Sequence, residues 1–138
     1  MYFKSEKELS NKLITALRSK GLKPTTEVPF LGRSIDVAYT CADKTITVIE
    51  VKLASNNIRR ALNQAKYCLL GSDKVYVCTS PYNMTRRIKA EFKNLGIGLM
   101  YLDQKKDKYT VKYAITAGRN KLKMHEYTDK LRRAMYQL

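Results

Sequence analysis

Nine residues near the middle of the chain, Thr45 to Leu53 (TITVIEVKL), decide the fold. Their β-branched and apolar side chains are typical of a buried strand. Side chains alternate along a strand, so Glu50 and Lys52 point to the same face of the sheet. Charged residues are seldom buried unless they are paired. The stretch therefore predicts either a local ion pair at the end of a strand or a polar site built on that strand.

The preceding strand supplies a second acid. It is predicted at residues 33–40, and residues 42–44 form the turn between the two strands. A hairpin centred on that turn places Asp36 directly opposite Glu50, where two like charges destabilise the sheet unless something compensates them. Lys52 can compensate in part, and a divalent cation can compensate fully. A slip of one residue in the register would put the two acids on opposite faces.

Hydrophobic periodicity and turn residues predict ten elements in the order α-β-β-β-α-β-α-β-β-α. The predicted helices cover residues 5–20, 58–70, 81–95 and 118–138, and the predicted strands cover 22–30, 33–40, 45–53, 74–79, 97–102 and 109–115. The apolar face of the second strand is Ile35, Val37 and Tyr39. Helices must cover both faces of one mixed sheet, so the fold class is α/β, with a core at 5–104 and a basic strand and helix at 105–138.

Capping residues mark where the helices start. Ser5 with Glu8 forms a capping box, and Ser80 followed by a proline is a typical cap for the third helix. Glu6 falls on the apolar stripe of the first helix, so it is expected either to point inward or to be a first-turn acid that the helix dipole favours. The apolar stripe of the final helix is predicted to be Met124, Tyr127, Leu131, Met135 and Leu138.

The charge of the chain indicates a polyanionic partner. Its 138 residues, enough for one domain (1–138) with a hydrophobic core, carry 27 Lys and Arg against 12 Asp and Glu, a net charge of +15. Residues 51–138 hold 19 of those basic residues and only six of the acids. Such a balance favours nucleic acid first and an anionic membrane surface second, with a merely solvated surface as the alternative.

The cysteines and the apolar runs of the sequence indicate the compartment in which the protein is expected. The three cysteines have no metal-ligand spacing and lie in apolar stretches, so they are predicted to be small core residues in a reducing compartment. No apolar run is long enough to span a bilayer, and the first residues have no signal-peptide core. The sequence thus predicts a cytoplasmic protein that is not embedded in a membrane.

The acids and the lysine fit metal-assisted hydrolysis of a phosphodiester, which requires hard oxygen ligands, a positioned water and positive charge near the phosphate. Asp36 and Glu50 can supply ligands for Mg²⁺ or Mn²⁺, with the Val51 carbonyl as a third. Lys52 can orient or deprotonate the water, or stabilise charge that develops on the phosphate. Glu6 from the first helix can hold a further ligand or a water.

Asp36, followed after a hairpin by Glu50-Val51-Lys52, resembles the PD-(D/E)XK nuclease superfamily. Glu6 is similar to the acid of that superfamily's first helix, which joins its active site. The resemblance covers residues 5–80 and implies a restriction-endonuclease-like αβββαβ core with metal-dependent nuclease activity. In the position of the superfamily's proline, directly before Asp36, this chain has an isoleucine.

The helix after the central strand resembles the superfamily's QxxxY-like segment, although here the spacing is Gln64-x-x-Tyr67. The resemblance implies that Gln64 belongs to the catalytic site. The residues expected to bind nucleic acid are Arg33, Arg59, Arg60, Tyr67, Arg86 and Arg87. DNA is favoured over RNA as the partner, and a homodimer would supply the two sites that two-strand cutting requires.

Two other classes of function stay open. One is a catalytically silent nucleic-acid-binding module on the same fold, and the other is a basic structural or protein-interaction domain. Intact Asp36, Glu50 and Lys52 favour the nuclease over the silent module. His125 is the single histidine and lies off the apolar stripe of the last helix, which argues against a zinc nuclease.

Overall fold

The computed structural model describes residues 3–53, 58–80 and 85–136, which form one mixed β-sheet and four helices. The helices are α1 (Glu6–Ser19), α2 (Ile58–Cys68), α3 (Arg86–Leu95) and α4 (His125–Tyr136). The strands are β1 (Thr25–Phe30), β2 (Arg33–Thr40), β3 (Ile46–Lys52), β4 (Lys74–Thr79), β5 (Gly98–Lys105) and β6 (Lys108–Ile115). The α/β class and the predicted order of elements are confirmed.

The strands lie side by side in chain order, from β1 to β6. β1, β2 and β3 form an antiparallel meander, because short turns connect them. β3, β4 and β5 are parallel, and the crossovers between them contain α2 and α3, as parallel pairing requires. The carboxyl ends of β3 and β4 therefore meet at one edge of the sheet, and α2 and α3 begin a few residues beyond that edge.

Both faces of the sheet are covered by helices, as predicted. α2, α3 and α4 pack on one face, in a cluster that includes Ala38, Ile46, Val48, Leu62, Val77, Phe92 and Leu131. α1 packs on the other face, in a cluster that includes Leu9, Leu13, Val37, Ile49, Val51, Cys78 and Met100. Within the described ranges, none of the helices combines the length and the apolar composition that a membrane span needs.

The predicted hairpin register between β2 and β3 is confirmed. Val37 pairs with Ile49, and Ala38 pairs with Val48, in antiparallel fashion. The same register continued by one residue sets Asp36 across from the Glu50 position. The turn therefore brings two acids together at the end of the pair, without a slip that would separate them.

One prediction about β2 is wrong. Ile35 packs in the cluster on the α2 face, whereas Val37 packs in the cluster on the α1 face, so the two do not share a side of the sheet. The neighbouring β1 contains Glu27, which has a φ of 52°, in the left-handed region. A left-handed residue kinks a strand locally and disturbs the two-residue alternation of the pair that it belongs to. This irregularity lies next to Asp36, which the sequence pattern treats as an ordinary strand residue.

The start of α3 also differs from the prediction. Thr85 is the N-cap, because its hydroxyl oxygen accepts the N–H of Ile88 at 3.2 Å. Ser80, the predicted cap, instead donates its hydroxyl to the carbonyl of Leu53 at 2.7 Å, which joins the chain beyond β4 to the chain beyond β3. Residues 81–84, including the predicted first-turn proline, lie outside the described residues.

The two terminal helices show one success and two corrections. The hydroxyl of Ser5 accepts the N–H of Glu8 at 3.0 Å, so the predicted cap of α1 is confirmed. Glu6 is exposed rather than inward, since α1 has only just begun there and the core lies further along the helix. Met124 is 46% exposed because it precedes α4, and Leu138 lies outside the described residues.

Candidate functional site

A polar cleft of about 220 Å³ opens where β2, β3, α1 and α2 meet. It is lined by Phe30, Ser34, Ile35 and Cys68 together with seven residues that the sequence singles out: Glu6, Arg33, Asp36, Glu50, Lys52, Gln64 and Tyr67. These seven come from three distant parts of the chain, and the meander and the α2 crossover bring them together. The cleft is the candidate active site.

The floor of the cleft carries the two acids. Asp36 accepts the backbone N–H of Val51 through Oδ2 at 2.8 Å, which fixes its side chain against the end of β3. Glu50 is only 6% exposed. Burial, and next the negative charge of Asp36, raises the pKa of the Glu50 carboxyl well above its ordinary range, and the Lys52 ammonium offsets only part of that shift. Ionisation of one carboxyl group therefore disfavours ionisation of the other.

Lys52 and Glu6 form the wall of the cleft on the α1 side. The Lys52 Nζ lies 3.7 Å from the Oε1 of Glu6, and their side chains are 20% and 45% exposed. β3 carries Lys52 two residues after Glu50, so strand alternation delivers both side chains to the same cleft. An ammonium held beside two acids and open to solvent can act on a water or a bound anion.

α2 forms the opposite wall through Gln64 and Tyr67, which are nearly one helical turn apart. Tyr67 is 45% exposed, and the guanidinium of Arg33 lies 4.0 Å from the centre of its ring. Arg60 belongs to the same helical stripe but is exposed and does not line the cleft. The stripe thus contributes two of its three predicted residues to the cleft.

Cys68 is a cleft residue that the sequence reading assigned only to the core. It belongs to the core cluster, but its thiol also donates to Glu50 Oε1 at 3.9 Å. Burial and the negative charges of Glu50 and Asp36 raise the pKa of the Cys68 thiol, so it stays protonated and is a poor nucleophile. Its position four residues after Gln64 on the same helix is a signal that could have placed it here.

Four predicted nucleic-acid-binding residues lie outside the cleft. They are exposed residues on the first turns of α2 and α3: Arg59, Arg60, Arg86 and Arg87. The Nη2 of Arg59 is 3.3 Å from the Oε1 of Glu91 on α3. Since α2 and α3 begin beyond the carboxyl ends of β3 and β4, these arginines stand toward the sheet edge at which β3 delivers Glu50 and Lys52.

A second polar cavity, of about 390 Å³, adjoins the cleft on the α1 side. It shares Glu6 and Asp36 with the cleft and is otherwise lined by Lys7, Ser10, Asn11, Ile14, Thr26, Glu27 and Val51. Val51, the third predicted metal ligand, therefore borders this cavity and not the cleft itself. Asp36 stands at the boundary between the two spaces.

The described ranges are poor in side chains that gather around a metal ion. Those residues contain no group of three or more His, Cys, Asp and Glu side chains that could hold a metal ion. His125 is strongly exposed and pairs with Asp129 on α4 at 3.3 Å, and it does not line the cleft. A cation in the cleft would thus be held by two carboxylates supplemented by backbone oxygen and water, an arrangement that Mg²⁺ accepts.

The fold and the cleft define a basic α/β protein with an acidic site at the end of its central strand pair. No protein-family model matches the chain, and the search of curated proteins found no match. A protein of unknown function from Silicibacter pomeroyi, SPO1766, has a similar structure, with a TM-score of 0.67 and 20% sequence identity over 98% of this chain and 86% of that one. That likeness shows a shared fold.

A repair endonuclease from Pyrococcus abyssi also aligns, with a TM-score of 0.49 and 20% identity. The alignment covers 72% of this chain and 47% of the endonuclease. The aligned part spans about half of that protein's length.

Proposed function

We propose that this chain is a metal-dependent nuclease that hydrolyses phosphodiester bonds of nucleic acid, with DNA favoured over RNA. The observation that carries the proposal is the meeting of Asp36 and Glu50 from adjacent strands with Lys52 in one polar cleft. This arrangement agrees with the resemblance of the same residues to the PD-(D/E)XK superfamily. The cleft supplies oxygen ligands and positive charge together, which is what this chemistry requires.

The residues of the cleft fit a hard divalent cation such as Mg²⁺ or Mn²⁺. The donors are carboxylate oxygens of Asp36 and Glu50, with the Val51 carbonyl, which borders the adjoining cavity beside Asp36, as a proposed third ligand. Burial and the Asp36 charge raise the pKa of Glu50, and Lys52 offsets only part of that shift, so without a cation Glu50 is kept partly protonated. A cation of charge +2 would remove the repulsion between the two acids and restore the ionised form of both.

The proposed mechanism assigns a role to each side chain. The cation, when bound, would polarise the phosphate and favour ionisation of a bound water. Lys52 holds the attacking water or stabilises the charge that develops on the phosphate oxygens, and Glu6 orients the Lys52 ammonium through their ion pair. Gln64 lies on the facing wall and can hydrogen-bond the same water or a phosphate oxygen.

The charge of the whole chain supports a nucleic-acid substrate. A net charge of +15 favours a polyanion, and arginines are exposed on the first turns of α2 and α3, the helices that follow β3 and β4. A small endonuclease of the junction-resolvase, homing or phage kind would suit these features. Cutting both strands of a duplex requires two sites, so a homodimer belongs to the proposal.

A catalytically silent nucleic-acid-binding module is the second candidate. The ion pair between Lys52 and Glu6 favours this candidate, because in a silent module the lysine would have the single role of balancing the negative charge of the acids in the cleft. The two candidates differ in one respect that can be measured. A silent module binds nucleic acid and does not cut it in any metal.

The proposal is tested by cleavage of plasmid, junction and single-stranded DNA, and of RNA, with Mg²⁺, with Mn²⁺ and with EDTA. Asp36→Asn should lower the metal-dependent rate at least ~100-fold, since one ligand loses its charge. Asp107→Asn is the matched control, because Asp107 is an exposed acid in the turn between β5 and β6. No cleavage by the wild-type protein of any of these substrates would reject the nuclease.

Thermal melting provides an independent readout of the same site. Saturating Mg²⁺ should stabilise the wild-type protein by about 1–3 kcal/mol through ligand linkage, and Asp36→Asn should lose that response. In EDTA, Asp36→Asn should melt higher than the wild type, because the repulsion with Glu50 is gone while an amide oxygen still accepts the Val51 N–H. If Asp36→Asn melts lower than the wild type in EDTA, Asp36 is a structural residue and not a ligand.

A further inference from the structure

Arg33 and Tyr67 form a stacked pair at the mouth of the cleft. The guanidinium carbon of Arg33 is 4.0 Å from the centre of the Tyr67 ring, which is a close stacking contact. Arg33 is the first residue of β2 and follows a turn in which Leu31 and Gly32 both have positive φ. Tyr67 is in the last turn of α2. The start of β2 and the end of α2 therefore touch through this pair.

The stacked guanidinium keeps its hydrogen-bonding edge available. Within the described ranges, Arg33 makes no ion pair, whereas Arg59 on the same side of the protein is engaged by Glu91 at 3.3 Å. Stacking uses the flat face of a guanidinium and leaves the N–H groups in its plane unoccupied. Those N–H groups form a rigid fork that matches two oxygens of a phosphate. The guanidinium of Arg33 is thus held in place by the ring and has N–H groups available to bind a phosphate.

Arg33 belongs to the same cleft as the acids. Its side chain lines that cleft together with Asp36, Glu50 and Lys52. A phosphate held by Arg33 would therefore lie in the cleft that contains the acids and not on a remote surface.

We propose that Arg33 and Tyr67 act as one phosphate-binding unit, in which the ring of Tyr67 holds the Arg33 guanidinium flat so that its fork binds a phosphate of the strand in the cleft. This inference rests on the proposed function, since it takes the substrate to be a nucleic-acid strand. Tyr67 is then a positioning residue that acts through Arg33. Its ring matters, and its hydroxyl does not.

Three substitutions separate this role from simpler ones. Arg33→Lys keeps the charge but loses the fork and the planar stack, so nucleic-acid affinity should fall by about 5- to 10-fold. Tyr67→Leu should weaken binding by a similar factor, because the arginine loses its support, while Tyr67→Phe should stay within about twofold of the wild type. The double variant, Arg33→Lys with Tyr67→Leu, should bind no more weakly than Arg33→Lys alone.

A matched control comes from another cation–tyrosine pair. Lys20 lies 5.7 Å from the ring centre of Tyr113 on β6, away from the cleft, and Tyr113 is 44% exposed. Tyr113→Leu removes a ring that is exposed to the same extent and a longer cation–π contact, together with a ring contact to Tyr76 whose centroids are 5.3 Å apart. It should leave nucleic-acid affinity within about twofold of the wild type.

The experiment is fluorescence anisotropy of labelled single-stranded and duplex DNA in EDTA, so that no cleavage occurs. Weakening by Arg33→Lys and by Tyr67→Leu that does not add in the double variant, with Tyr67→Phe unaffected, supports the pair. Additive effects, no effect, or a Tyr67→Phe protein as weak as Tyr67→Leu overturns it, and so does a wild-type protein that binds no DNA. If the effects of the two substitutions do not add but the protein never cleaves DNA, the proposed nuclease function is rejected and the Arg33–Tyr67 unit is retained. If the substitutions do not change DNA affinity but the protein cleaves DNA, the Arg33–Tyr67 unit is rejected and the nuclease function is retained.

Discussion

Glu50 illustrates how a single residue links fold and function in this protein. It stands in a strand whose residues before it are buried and mostly apolar, and Glu50 itself is only 6% exposed beside Asp36. A carboxyl kept partly protonated by burial and by a neighbouring acid stores unfavourable electrostatic energy in the folded state. We interpret this electrostatic destabilisation as the result of placing two acids where a bound cation would neutralise them.

The raised pKa of Glu50 predicts a pH-dependent stability. The unfolded chain releases this proton near the ordinary value of 4.5, whereas the folded, metal-free protein holds it to a higher pH. Folded protein then binds more protons than unfolded protein, so the free energy of unfolding falls as pH rises above 4.5, by at most ~1.4 kcal/mol per pH unit from this group. Glu50→Gln cannot titrate and should lack this contribution.

Chemical denaturation in EDTA between pH 5 and pH 9 measures it. Relative to the wild type, Glu50→Gln should gain stability as pH rises toward about 8 and then level off, and the exposed control Asp107→Asn should not. A difference between wild type and Glu50→Gln that is constant across this range would mean that Glu50 ionises normally in the folded protein.

For single residues, the sequence was sufficient to predict that Asp36 and Glu50 are neighbours, but it was not sufficient to predict which other residues surround them. Strand alternation and the turn at residues 42–44 predict that Asp36 and Glu50 are neighbours, because both rules are local. Cys68 was interpreted only as a core residue, since a cysteine on an apolar helix face gives no sign of which acid it will touch. The change of face between Ile35 and Val37 depends on a left-handed residue in the adjacent strand, which β2 itself does not encode.

The helices and strands were predicted in type and order because each has a strong hydrophobic period and short connections. The cap of α3 was misassigned for a different reason. Ser80 and Thr85 are both good N-cap residues, and local sequence does not decide between them. Tertiary structure decides, since the Ser80 hydroxyl is used to join the chain after β4 to Leu53.

The packing of β4 against β5 depends on Gly98, a glycine without positive φ that the sequence analysis did not single out. Gly98 pairs with Tyr76, whose ring lies over it and whose hydroxyl accepts the N–H of Ala117 at 3.2 Å. A Cβ at this position would meet the Tyr76 ring and would lie 2.7 Å from the Ala117 nitrogen. Only glycine leaves room for the ring to cross the strand.

Gly98→Ala should therefore destabilise the fold by about 1–3 kcal/mol, since overpacking displaces a buried aromatic ring. Gly118→Ala is the matched control, because its Cβ would make ordinary contact with Gly96 at 3.7 Å, and its effect should stay within about 0.5 kcal/mol. Urea denaturation of the two variants measures the difference. Equal stabilities would show that the Tyr76 ring moves aside without loss.

The molecule as a whole is a strongly basic surface around a small acidic cleft. That contrast predicts binding governed by displacement of cations from the nucleic acid. DNA affinity should fall at least ~100-fold when salt rises from about 50 to 200 mM, as for proteins with several phosphate contacts. An affinity that changes less than about twofold over this range would mean that the net charge is not used for binding.

Location can be separated from total charge by two double variants that remove the same charge. Arg86→Ala with Arg87→Ala alters the first turn of α3, toward the edge of the cleft, whereas Lys106→Ala with Lys108→Ala alters the β5–β6 hairpin. The first double variant should lower the slope of log Kd against the logarithm of the salt concentration by about one to two. The second double variant should lower that slope by less. Equal effects would indicate binding without a preferred face.

The central claim is that the cleft cuts phosphodiester bonds, and Lys52→Ala tests it most directly. The measurement compares the single-turnover cleavage rate in Mg²⁺ with DNA affinity in EDTA, for wild type and Lys52→Ala. We predict that cleavage falls at least ~100-fold while affinity changes less than about threefold, because Lys52 acts on the reacting groups and is one phosphate contact among many. Cleavage that survives the substitution, or that falls only in parallel with affinity, would contradict the account.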